Sequence, residues 1–212
     1  SIIASDAYGV APDATILSCR ASFPNQGDTS GKDCEDDDVV GVTKDDYASL
    51  MNHAMNDGAT IINMSVSSDN AQHSLKWAVA RAISQGVIVV GAAGNTGRYS
   101  DQFALSWWSS VVGVGAIDTQ GKVVDSSSSG EGLVSAAVGT ATVRDYRTGA
   151  NITVTGTSVS TALVSGFVAL AHEKWPEATS NQLLQLLVHT GTNPNHAWND
   201  RTGYGPADPG AM

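Results

Sequence analysis

A serine stands where a β-branched run gives way to a helix-like run. In "TVTGTSVSTALVSG" (153–166) the chain passes from Thr and Val through Gly156 into small and aliphatic residues, with Ser158 just inside the second part. Serine and threonine favour helix N-termini because their hydroxyl accepts a bond from a free backbone N–H, so Ser158 taken alone reads as a cap. The same terminus also presents unpaired N–H groups and a partial positive charge. A hydroxyl there, opposite a side-chain amide donor, has the parts of a nucleophile and an oxyanion hole. "VVGAAGNTG" supplies the amide, Asn95, in a glycine-flanked turn after a strand, where backbone can approach a ligand closely. "INMSVSS" brings Ser65, Val66 and Ser67 to the end of another strand. The chemistry of such a set is hydroxyl attack on a carbonyl. The charge that develops on the carbonyl oxygen is met by the Ser158 N–H and the Asn95 side chain.

The elements that must position these residues follow from periodicity. Strands are expected at 14–20, 59–66, 87–93 and 110–118. Thr43 opens a helical run ended by Gly58, in which Tyr47, Leu50, Met51 and Ala54 recur at helical spacing, and 70–86 is an amphipathic helix ended by Gly86. Residues 21–42 read as a surface loop, and "TATVRDY" and "NITVTG" flank "RTGA" as a hairpin. Two helices close the chain. The first, 158–174, is apolar nearly all round and therefore central; the second, 180–190, is expected to be capped by Ser180. Alternating strands and helices imply one three-layer α/β/α domain with a mostly parallel central sheet. Ligands bind such sheets at the carboxyl ends of the strands, so Val66, Ala93 and Gly156 mark the expected site.

Composition narrows the classes. The 212 residues are 42% apolar and 15% charged, within the globular range. A net charge of −10 argues against a phosphate-binding nucleic-acid surface and fits a secreted or cell-surface protein. No apolar run reaches the ~18–20 residues that a membrane span needs, and "SIIASDAYGV" lacks the features of a signal peptide. Cys19 and Cys34 flank a polar segment, either as a disulfide closing that loop or as two free thiols. Glu35, Asp36, Asp37 and Asp38 have the oxygen chemistry for a structural calcium ion, but the run lacks the glycine-punctuated alternation of a ligand loop and reads as a solvated face. Trp107 and Trp108 read as packing residues.

"YGVAPDATILSCR", "GATIINMSV", "VIVVGAAGNTG", "VVGVGAIDTQGK" and "GTSVSTALVSGFVALA" resemble, in order and near-spacing, the blocks of subtilisin-like serine proteases, and "TGYGPADPGA" resembles that family's closing segment. Ala162 and Leu163 stand where the family usually has Pro and His. The "SIIASDAYGVAP" start and "GYGPADP" close lean toward the mycosin-like branch. The resemblance implies a serine endopeptidase acting on peptides or proteins through an acyl-enzyme on Ser158, with Asn95 in the oxyanion hole and no cofactor in the chemistry. It further implies that Ser65-Val66-Ser67 and Ala92-Ala93-Gly94 line the pocket before the scissile bond, and that the edge near Gly41 pairs with extended substrate.

The family's base and orienting carboxylate both precede the segment that "SIIAS" resembles, so the resemblance implies a protease domain lacking its N-terminal part. His53, His73, His172, His189 and His196 lack the His-Gly-Thr context and read as surface or packing residues, and Asp118 reads as a turn residue. The competing expectation is a protease-like binding or scaffold module without catalysis. A nucleotide site fails at the motifs, because "GAAGNTG" is no G-x-G-x-x-G and no Walker lysine follows.

Overall fold

Four short strands rich in valine, isoleucine and alanine form a parallel sheet in the order β1-β2-β3-β4. They are β1 Ile61–Met64, β2 Ile88–Ala92, β3 Val111–Ile117 and β4 Leu133–Val138. The computed structural model describes residues 1–19, 47–66, 73–100, 104–145 and 148–212. β2 and β3 are buried along their whole length, as strands covered on both faces must be.

Helices α1 (Tyr47–Asn56) and α2 (His73–Ser84) cover one face. There Met51, Met55, Leu75 and Val79 meet Ile62, Val89 and Val111. Helices α3 (Thr157–Lys174) and α4 (Ser180–Thr190) cover the other, where Val164, Val168, Leu183 and Leu187 meet Ile88, Val90, Val112 and Val114. Alternation along β2 divides it between the two cores: Val89 points one way, Ile88 and Val90 the other. Each fully buried Val or Leu contributes about 1.5–3 kcal/mol, so the two cores together hold the layers in register. The expected three-layer α/β arrangement is present.

Several local expectations are corrected. Residues 14–19 belong to no ladder, and Ile16 and Leu17 are each 45% exposed. A β-favouring sequence becomes a strand only beside a partner that takes its N–H and C=O groups, and no described strand lies alongside. β4, "LVSAAV", does not announce itself in its pattern. Its small residues do not alternate cleanly, and it is a strand because β3 pairs with it from Gly113–Leu133 to Ile117–Val138. The hairpin is present as β5 (Thr140–Arg144) and β6 (Asn151–Thr155), but it forms its own antiparallel pair. Gly156 therefore follows a ribbon and not a strand of the parallel sheet. The cap of α4 is Thr179 rather than Ser180: its hydroxyl accepts from the Gln182 N–H while the Gln182 side chain accepts from the Thr179 N–H, a reciprocal capping box. The expected starts at 43–46 and 70–72 and the loop 21–42 lie outside the described residues, apart from the helix and strand ends that border them.

Candidate active site

Three chain segments meet at one end of the sheet: the turn after β1, the turn after β2 and the first turn of α3. Gly156 occupies the N-cap position of α3 with φ 145° and ψ 170°, and no side chain of its own can cap there. Ser158 is thus the second residue of the helix. The cap reading of Ser158 falls, and no described group bonds its Oγ. Its backbone N–H belongs to the first turn, where the i−4 acceptors of a helix interior are missing.

Asn95 reaches this terminus from the turn after β2. Its Oδ1 accepts the Thr157 N–H at 2.8 Å and the Thr157 hydroxyl at 3.1 Å. A backbone N–H can only donate, so the atom facing it is the amide oxygen, and Nδ2 is left as a donor on a side chain that lines the same cleft as Ser158. Asn95 is absent from the residues at positive φ, which removes the left-handed-turn explanation for its presence. Thr157 is fully buried, and its hydroxyl also accepts the Gly94 N–H at 3.2 Å. One side chain thereby ties the turn after β2 to α3 and sets the orientation of the Asn95 amide.

The cleft between these segments encloses about 310 Å³ and is lined by Tyr47, Ser65, Val66, Ala92, Gly94, Asn95, Thr157 and Ser158. No lining side chain is charged at neutral pH. Partial burial pushes the Tyr47 phenol above its ordinary range, which keeps it neutral. Of the expected residues, Ser158, Asn95, Ser65, Val66, Ala92 and Gly94 come together. Ala93 lies behind the wall: it is 4% exposed, its N–H bonds the Val114 carbonyl, and its own carbonyl accepts the Ser100 hydroxyl. Ser67, Gly41, Cys34 and the Glu35–Asp38 run lie outside the described residues. Cys19 is exposed.

Two lining residues do not follow from the sequence reading. Tyr47 reads there only as part of a helical apolar stripe, although it is the first described residue of α1 and lines the cleft. Thr157 stands within "TGTSVS", and its place between Gly156 and Ser158 is the available signal.

No described histidine lines the cleft. His53 contacts Asp57 at 3.2 Å on the exposed side of α1. The His196 ring nitrogen Nδ1 lies 3.1 Å from the Gly191 carbonyl oxygen. His172 lies on α3 about four turns beyond Ser158, and His73 and His189 sit on α2 and α4. Asp118 is a turn residue as expected, its Oδ1 accepting the N–H groups of Gln120 and Lys122. A second hollow of about 470 Å³, between Trp175 and the first turns of α4, holds no hydroxyl or imidazole among its lining residues. No cluster of three or more metal-ligating side chains occurs among the described residues.

The chain is similar to known proteases. Mycosin-2 of Mycobacterium tuberculosis is 34% identical to this chain over 250 residues, covering 95% of the chain and 45% of the mycosin. The thermostable alkaline protease of Halalkalibacterium halodurans is 35% identical over 139 residues, covering 66% of the chain and 38% of that protease. The solved structure of MycP1 from Mycobacterium smegmatis superposes with a TM-score of 0.66 at 27% identity, covering 77% of this chain and 53% of that one. The chain thus spans about half or less of the length of these curated relatives. The subtilase family model matches residues 1–205, and the chain belongs to the subtilase family.

Proposed function

We propose that the protein is a serine endopeptidase in which Ser158 attacks the scissile carbonyl, and the Ser158 N–H and Asn95 Nδ2 stabilise the oxyanion. The observation that carries this reading is the Thr157–Asn95 lock. It holds an amide donor beside an unbonded hydroxyl at a helix N-terminus. Donors fixed before reaction stabilise developing charge without reorganising, which is worth several kcal/mol at such a site.

The substrate is a peptide or protein, and the uncharged cleft favours an uncharged side chain before the scissile bond. The chemistry needs no cofactor. Acidic net charge, and the likeness to a solved MycP1 described as an essential component of the type VII (ESX-1) secretion system, support a secreted or cell-surface setting. Proton removal from Ser158 requires an imidazole within hydrogen-bond reach, oriented by a carboxylate. No described histidine lines the cleft, and by the family resemblance we assign both groups to chain outside these 212 residues.

A serine-directed fluorophosphonate tests it. The full-length protein should label at Ser158, Ser158→Ala should abolish labelling while preserving the fold, and the 212-residue chain alone should label poorly. Strong labelling of the short chain would refute the assignment of the base. A folded full-length protein that does not label would favour a binding module instead.

A further inference from the structure

Asn63 is an oddity of β1. The strand's burial alternates, with Ile62 and Met64 in the core beneath α1 and α2 and Ile61 packed on the α3 side. Asn63 shares the Ile61 face. Asparagine is depleted in strands, and an amide placed against an apolar layer is costly unless both of its ends are bonded. Here both are. Ser165, two turns along α3 from Ser158 and 2% exposed, donates its hydroxyl to Asn63 Oδ1 at 3.1 Å. Asn63 Nδ2 donates to Ser65 Oγ at 2.9 Å, and Ser65 Oγ donates to the Ser158 carbonyl at 3.0 Å. Ser65 Oγ also lies 3.3 Å from Asn63 Oδ1, but that oxygen already accepts from Ser165, and the single serine proton goes to the shorter contact.

The three bonds point one way and end on the residue that carries the candidate nucleophile. Hydrogen bonds in such a chain polarise one another. They join β1, the Ser65 wall of the cleft and the first turn of α3. We propose that Ser165, Asn63 and Ser65 form a positioning relay that sets the Ser158 backbone, and hence the direction of its hydroxyl, against the wall of the cleft. Ser165 and Asn63 do not line the cleft, so they act through Ser65 and are positioning residues. The proposal rests on the endopeptidase reading for its kinetic consequences.

The test uses the full-length protein with active sites titrated, so that rates refer to folded enzyme. Ser165→Ala should lower kcat about tenfold with KM near the parent value, less than the ~100-fold cost of a full 1 Å misplacement. Asn63→Asp keeps the shape but cannot donate to Ser65. The Ser65 proton then turns to the new carboxylate, releases the Ser158 carbonyl, and kcat should fall to a similar extent. Because one relay is broken either way, the double variant should lose little more than the worse single one. A purely structural role would lower the melting temperature of each variant while leaving kcat per titrated site unchanged, and that result would overturn the proposal. If the parent has no turnover, the endopeptidase reading fails, and solvent exchange of the Asn63 side-chain amide then decides the relay. Exchange that is slow in the parent and accelerated by Ser165→Ala supports it, whereas unchanged exchange overturns it.

Discussion

Thr157 and Asn95 divide a single task. Asn95 presents the donor, and Thr157 holds it by two bonds to the same oxygen, one from its N–H and one from its hydroxyl. Asn95→Ala should therefore lower kcat by ~10²–10³ with little change in KM, the loss typical of one oxyanion donor. Thr157→Val keeps the backbone bond and the approximate shape but removes the hydroxyl from both Asn95 and Gly94. Losing that bond should cost about 0.5–1.5 kcal/mol of orientation, or roughly two- to tenfold in kcat. Steady-state kinetics on both variants checks the ordering. A Thr157→Val enzyme as impaired as Asn95→Ala would mean that the hydroxyl does more than orient the amide, and an unimpaired one would mean that the backbone bond suffices.

At the scale of the element, the start of α3 depends on Gly156. A Cβ built there would lie 3.1 Å from Asn95 Nδ2 and 3.2 Å from its Oδ1, and φ is +145°. Gly156→Ala thus combines backbone strain of about 1–3 kcal/mol with a push on the amide that faces Ser158. Gly58, at the end of α1, is the useful contrast: its φ is +85°, but a methyl group added there would meet nothing within 4 Å. Both alanine variants should melt at lower temperature, but only Gly156→Ala should slow fluorophosphonate labelling of the folded full-length protein. Equal labelling rates for the two would show that the Asn95 amide tolerates displacement.

At the scale of the whole molecule, two cores clamp the sheet, while residues 15–19, ending at Cys19, are exposed and belong to no ladder. A Cys19–Cys34 bond would restrict that region in the unfolded chain. A closed loop of about 15 residues is worth up to ~3 kcal/mol in the chain-entropy model. Protein from an oxidising compartment should yield the linked peptide by non-reducing mass spectrometry and should unfold at lower denaturant after reduction. Two alkylatable thiols in the unreduced protein would rule the bond out.

The sequence by itself determined the layers and pointed to two central residues of the candidate site. Buried β-branched runs separated by amphipathic runs leave few arrangements other than helices on both faces of a parallel sheet. Ser158 and Asn95 stood out because each lies within two residues of a glycine at an element boundary, where local chain geometry is written in residue type. Tertiary structure decided what depends on a neighbour. Residues 14–19 have strand-like composition but no ladder, whereas the weakly patterned β4 is a strand because β3 lies beside it. Tyr47 became a cleft residue and Ala93 did not, because the packing of α1 and the last turn of the β2 connection set which side chains face the opening. Thr157 bonds a residue 62 positions away, and Ser165 bonds one 102 positions away. No local spacing encodes such pairs: a hydrogen bond needs its two atoms within about 3 Å, and only the packing of α3 onto the sheet brings these atoms together.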